Sequence, residues 1–326
     1  MRPVRRILVA VKDPQSRSLP AVAKAAQLAK ALDARLELFH AIDTPLYADL
    51  PSLERGEIDR SRTEWRNRRL AQLERIAERM RRQGLEVSTT VEWDYPVYEA
   101  VVRRAVRSEA DLIVAERHAG VRVAPWLLHV TDWELLRYSP LPVLIVKTPR
   151  PYRRPVVLAA VDPSHAFEKP AKLDQEVLGI GGTVATALRG TLHAVHAYAP
   201  LPPTLLARAA EDPGAADRIS AETAKWARSR FERALRSAKI PPRRRHLVGR
   251  HPIDAILDVA RQTRAAIVVM GAVSRSGLRR LFIGNTAERV LDDLPCDLLV
   301  VKPRGFPNRV PRAKRGPRVT VIAPSL

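Results

Sequence analysis

Short, uninterrupted apolar runs alternate along this chain with longer stretches in which apolar residues recur every three or four positions. In the first half the runs are Ile7 to Val11, Arg35 to Ala41, Leu85 to Val91, Leu112 to Ala115 and Val143 to Val146. In the second half they are Val156 to Val161, Leu192 to Tyr198, His246 to Val248, Ile267 to Met270 and Leu298 to Val301. Runs of this length, rich in Val, Ile and Leu, read as strands buried on both faces of a parallel sheet. The stretches between them read as amphipathic helices. Before the third strand of each half the helical stripe is Trp65, Leu73, Ile76 and Met80, and then Trp226, Phe231, Leu235 and Ala238. Both tryptophans are expected to pack in the core with the rest of their stripe. The predicted architecture is α/β, with two tandem doubly wound domains, each a five-stranded parallel sheet covered by helices on both faces.

An internal repeat supports that division. RRILVAVKDP, from Arg5, recurs as RPVVLAAVDPS, from Arg154; ADLIVAERH, from Ala110, recurs as AAIVVMGAV, from Ala265; SPLPVLIVK, from Ser139, recurs as LPCDLLVVK, from Leu294. Matched segments in one order, displaced by about 150 positions, are two copies of one unit. The expected domains are residues 1–149 and 154–303, joined near Pro149 to Pro155, with a tail over 304–326. The two copies would pack as an internal pseudo-dimer, and a homodimer of the chain is a further expectation.

Composition narrows the picture less. The chain has 326 residues, 46% of them hydrophobic and 28% charged, and a formal net charge of +21 carried mostly by arginine. Such a surface attracts polyanions without choosing among them. The single cysteine, Cys296, leaves no disulfide framework, so the cytoplasm is the expected compartment. The longest apolar run, Ala265 to Val273, is far shorter than the roughly twenty residues of a membrane-spanning helix. No transmembrane segment is expected.

Candidate chemistry gathers in GAVSRSGLRRLFIGNTAERV, residues 271–290. It leaves a predicted strand at Met270, passes a glycine-rich loop and enters a helix near Asn285 or Thr286, either of which is a good N-cap. In doubly wound sheets ligands sit beyond the carboxyl ends of the strands, and a glycine beside a helix N-terminus is an anion site. Arg275, Arg279 and Arg280 would add positive charge.

The second half resembles the universal stress protein family, a Rossmann-like α/β family. Its nucleotide-binding members carry Gly, two residues, Gly, nine residues, then Gly followed by Ser or Asn. Here the pattern reads Gly271, Ala272, Val273, Ser274, then nine residues to Gly284 and Asn285. FIGNTAERVLDDLPCDLLVVKP in the second half and VTDWELLRYSPLPVLIVK in the first are similar to the tandem, two-domain members, and the likeness reaches to about Pro303. The resemblance implies a site for ATP or another adenine nucleotide, with Mg only as the nucleotide's companion. Asp162 and Val195 would face the base or ribose. Gly271, Ser274, Gly284, Asn285 and Thr286 would flank the phosphates, with Arg275 beside them. Ser274 departs from the motif: its Cβ obstructs the close backbone approach and the positive φ that glycine permits. The resemblance further implies a role in stress survival, including resistance to DNA-damaging conditions, through ligand sensing and partner binding.

In the first half, matching Ile113 and Val114 to Ile267 and Val268 sets Arg117 in the place of Gly271, and His129 falls at Gly284. That half is expected to have lost the phosphate loop. His193 and His196, three apart on a strand, point to opposite faces and cannot share an ion, so no metal site is expected. Gly179 to Thr183 lacks the preceding strand of a phosphate loop and reads as a glycine-weakened or broken helix, with a widened cavity as its corollary. An apolar ligand carried there is one alternative function. No nucleophile, base and orienting acid stand in a recognised order, so no catalytic residue is assigned; slow ATP hydrolysis is left open. The tail carries Arg304, Arg309, Arg312, Lys314, Arg315 and Arg318 and no acid. It is expected to be flexible and to offer nonspecific nucleic acid an electrostatic site, the other alternative. Its closing VTVIAPSL has strand character that a sheet edge would accept.

Overall fold

In the computed structural model the described residues are 3–48, 57–117, 131–163, 173–199, 213–272, 290 and 292–321. Tyr152–Phe306 forms one unit, and Arg2–Pro151 together with Pro307–Leu326 forms the other.

The first unit contains β1 (Arg6–Ala10), α1 (Pro20–Leu32), β2 (Arg35–Ile42), β3 (Leu46–Ala48), α2 (Glu57–Arg81), β4 (Val87–Trp93), α3 (Val97–Arg107), β5 (Leu112–Glu116), α4 (Thr131–Tyr138) and β6 (Val143–Val146). Its main sheet runs β4-β2-β1-β5-β6, every pairing parallel. The second unit contains β7 (Val156–Ala160), α5 (Leu173–Ala187), β8 (Thr191–Ala197), α6 (Pro213–Leu235), β9 (Arg245–Val248), α7 (Pro252–Gln262), β10 (Ile267–Gly271) and β11 (Asp297–Val301). Its strands run β9-β8-β7-β10-β11, again parallel. The order reverses between β1 and β5, and between β7 and β10, which marks the switch point of each sheet.

The local reasons are ordinary ones. Proline at the first turn of α1 and α7 supplies a preset φ where no amide partner is needed. The central strands bury almost every side chain, from Ile7, Leu8 and Val9 to Val268, Val269 and Leu298. Gly190 precedes β8 because a Cβ there would lie 2.0 Å from the carbonyl oxygen of Pro155.

Three sequence expectations are corrected. Trp65 and Trp226 are 39% and 48% exposed, while Leu73, Ile76, Phe231 and Leu235 of the same stripes are buried. On each helix the tryptophan stands on the solvent side under an arginine four residues later, Arg69 or Arg230. Gly179 to Thr183 does not break its helix: α5 is continuous. A Cβ on Gly181 would stand 3.1 Å from Leu192, so the glycine brings helix and strand together and widens nothing.

The tail is the third. Residues 307–321 are seated on the first unit. Lys314 pairs with Glu92, and Arg315 with Glu99 at 2.9 Å. The backbone amide of Arg315 donates to Asp94 Oδ1, and the Arg318 guanidinium donates to the Asp43 carbonyl. Val319–Val321 then adds a parallel strand, β12, to β3. The cations that read as a flexible polyanion arm meet an acidic seat at the end of β4, and the strand-like close finds an open edge.

Asp94 centres that seat. It is 0% exposed; its Oδ2 accepts from Arg103 Nε at 3.0 Å and Nη2 at 2.7 Å, and Arg103 also donates to Glu99 and to the Pro311 carbonyl. Burial pushes the Glu99 carboxyl up, but the bonds from Arg315 and Arg103 outweigh it and hold the pKa below its usual value.

Two variants test this. Gly190→Ala is expected to destabilise the second unit by about 3 kcal/mol or more, because the clash is with backbone, read as a lowered denaturation midpoint. Asp94→Asn removes one of the two carboxylates paired with Arg103, leaving Glu99, and is expected to cost about 1–3 kcal/mol in the first unit. The same variant should speed tryptic cleavage between residues 309 and 318.

Candidate functional site

Strand register assembles the site of the second unit. Ala160 of β7 stands opposite Val195 of β8 on one side and Met270 of β10 on the other. Asp162 and Gly271 lie just beyond that row, so three predicted residues on three elements arrive at the switch point together. Ser274, Arg275, Gly284, Asn285 and Thr286 lie outside the described residues.

Each of the three is already engaged. The Asp162 amide donates to Asp174 Oδ1, 3.1 Å away at the start of α5. Val195 is buried and its carbonyl accepts from the Val161 amide at 3.0 Å, so it adds apolar surface rather than a polar group. Gly271 faces Leu173: a Cβ on it would stand 2.6 Å from the leucine's nearest methyl. The glycine therefore serves close packing of the α5 start, and anything that approaches it must move Leu173. Neither Leu173 nor Asp174 was found by motif, because their role depends on where α5 begins.

The first unit answers differently at the same place. Pairing sets Glu116 opposite Val146 in β6, as Gly271 stands opposite Val301 in β11. The Arg117 amide donates to the Val146 carbonyl, as the Ala272 amide does to Val301. Glu116, not Arg117, thus occupies the position of Gly271; the sequence alignment was one residue out because apolar runs match in more than one register. The Glu116 carboxylate accepts the Ala21 amide at the start of α1, and burial raises its pKa against the lowering by that bond and by Lys12. A carboxylate of the protein stands at the helix start where an external anion would go. Nearby, the fully buried Lys24 donates to Thr148 Oγ1 at 2.8 Å.

Histidines repeat across the copies. His40 Nδ1 lies 2.8 Å from the Val11 carbonyl and His196 Nδ1 lies 3.2 Å from the Val161 carbonyl, each ring tying the end of one central strand to its neighbour. Desolvation lowers the His40 pKa against the raising effect of that carbonyl. His193 takes the opposite face of β8 and stacks on His246 of β9, with rings 5.4 Å apart and Nδ1 to Nε2 at 3.1 Å. Among the described residues no group of three or more His, Cys, Asp or Glu could hold a metal ion. No described helix is long and apolar enough to cross a membrane.

Beside Asp174 opens a groove of about 470 Å³, lined by Pro163, Asp174, Gln175, Arg230, Arg233 and Arg236 among others. Its arginines come from α6 and the turn after it, on the side of the helix away from the apolar stripe of Phe231 and Leu235.

Comparison with known proteins covers both units. The profile of the family described as "Universal stress protein family" matches residues 3–147 and 156–302. The chain is 29% identical to universal stress protein E of Salmonella typhi over 303 residues, 91% of this chain and 94% of that protein. It is equally identical to universal stress protein E of Escherichia coli K12, over 91% of this chain and 93% of that one. Among solved structures, a functionally unknown protein from Pseudomonas aeruginosa PAO1 superposes with a TM-score of 0.68 at 26% identity, covering 92% of this chain and 93% of that one.

The histidine pair generates a pH prediction. Desolvation, with the nearby His246 and Arg244, lowers the His193 pKa from 6.5 to about 4. A depressed folded-state pKa means the unfolded chain binds more protons between those values, so stability is complete above pH 6.5 and is lost as pH falls toward 4. The melting temperature should drop from pH 7 to pH 5, and His193→Gln should reduce that drop relative to the parent.

Proposed function

Because the chain belongs to the universal stress protein family, we propose that it acts in stress survival as a non-catalytic sensor, holding a small ligand of adenine-nucleotide type in the second unit. Occupancy would then be reported to a protein partner. The observation that carries the reading is the row Ala160, Val195 and Met270, with Asp162 and Gly271 just beyond it at the switch point of a parallel sheet. The phosphate-flanking pattern through Ser274, Gly284 and Asn285 adds the chemical class.

Two groups would respond to the ligand. Leu173 must leave the face of Gly271, and Asp174 must release the Asp162 amide or share it. Both lie at the start of α5, so ligand entry would be coupled to a shift of that helix end. This is the element through which a sensor of this construction would speak. The first unit, with Glu116 bonded to the Ala21 amide, has an internal substitute for the anion and would serve as scaffold. The basic tail is not favoured as the polyanion site, since Lys314 and Arg315 are paired with carboxylates.

Thermal unfolding with millimolar ATP and Mg tests the reading. At a concentration 100 times Kd, bound nucleotide contributes about 2.7 kcal/mol, which raises the melting temperature by several degrees. Asp162→Ala should erase the rise and Ser274→Gly should enlarge it. No shift in either the parent or Ser274→Gly would overturn the nucleotide reading.

A further inference from the structure

We propose that α6 of the second unit is a binding platform for single-stranded nucleic acid, with Trp226 stacking an unpaired base and Arg230, Arg233 and Arg236 holding the backbone phosphates. The inference stands apart from the nucleotide reading, and its binding groups are separate from that site, although Asp174 also lines the groove beside them.

Trp226 is 48% exposed on a helix whose buried stripe begins at Ala227 and continues through Phe231 and Leu235. A large apolar ring left in water is a cost that folding alone does not require. One face of the ring carries the Arg230 guanidinium, 4.6 Å from the ring centre, while about half of the residue stays in solvent. Arg230, Arg233 and Arg236 follow at helical spacing and line the groove of about 470 Å³. Among the described residues no carboxylate lies within ion-pair distance of these three, and the neighbouring Glu232 is engaged by Arg245. A stacking ring beside unneutralised guanidiniums is the arrangement that single strands require, phosphate held by charge and base by its π-face.

The first unit repeats the device. Trp65 is 39% exposed with Arg69 6.0 Å from its ring centre, and the exposed Arg66 and Arg68 flank it. There Arg69 also leans on Asp13 at 3.5 Å, so the second unit offers the stronger platform. The surface suits nucleic acid better than a lipid bilayer. Among the described residues the exposed large apolar side chains are Trp65, Val106 and Trp226. Insertion needs an apolar cluster, whereas each tryptophan here stands alone among cations. A duplex hides its base faces and leaves the ring nothing to stack on.

The test is fluorescence anisotropy of a labelled 20-nucleotide single strand of mixed sequence against the full chain, at 50 and 250 mM NaCl. At low salt, binding is expected, weakened roughly thirtyfold at the higher salt if three phosphates are held, at about 0.7 per contact in the logarithmic slope. Trp226→Ala should weaken binding about tenfold and Trp226→Phe should restore most of it. Arg230→Glu combined with Arg233→Glu should abolish it, with the melting temperature unchanged because these positions are at the surface. The duplex of the same sequence should bind without sensitivity to Trp226→Ala. The proposal is overturned by no binding at 50 mM NaCl, by binding that ignores both sets of substitutions, or by Trp226-dependent retention on phosphatidylglycerol vesicles in preference to the oligonucleotide.

Discussion

The hydrogen-bonded register of the central strands is the constraint on which the rest of this molecule depends. Ala160 can face Val195 and Met270 only if β7, β8 and β10 run parallel and in step. A slip by one residue would turn each buried side chain to the other face of its strand. β7 and β10 are buried along almost their whole length, and backbone pairing sets which of their residues stand level. Asp162, Val195 and Gly271 are carried to one end of the sheet by that fit. The same constraint exposes the displaced alignment in the first unit, where Glu116 rather than Arg117 meets Val146.

A second theme is that at several places in the described residues this protein meets a positive site with its own carboxylate. Asp174 takes the amide beyond β7, and Glu116 takes the amide at the start of α1. At the end of β4 the roles invert: Asp94 and Glu99 form the acidic place, and Arg103 and the tail supply the cations. A buried carboxylate without a partner costs several kcal/mol, so such groups are found coupled. The net charge of +21 is therefore unevenly available. Part of it is consumed by internal pairs such as those of Arg103 and Arg104.

The two copies have diverged in a way that duplication permits. The place that Gly271 holds in the second unit is taken by Glu116 in the first, bonded to the Ala21 amide, while the parallel sheet is kept in both. Features kept in both copies then carry more meaning than features kept in one. The histidine that ties the end of one central strand to its neighbour is kept, as His40 and His196. The exposed tryptophan with an arginine four residues later is kept as well. The first has a clear structural duty; the second has none in the packing of either unit.

Strand alternation and the tandem repeat were legible in the sequence, because apolar runs and the order of elements are local properties that survive without coordinates. The family likeness rested on the same local phrases. What only the tertiary structure decided was which neighbours those residues meet. Trp65 and Trp226 look like core residues by spacing and stand in water, since helical period identifies a face only to within about one residue in 3.6. Gly181 looks like a helix breaker and serves contact with Leu192, and the sequence pattern around Gly271 does not reveal that it packs on Leu173. The tail looks like a free cationic arm because its acidic partners lie more than two hundred residues away in sequence. Charge pairing across such separations is set by the fold, and no local pattern in a chain encodes it.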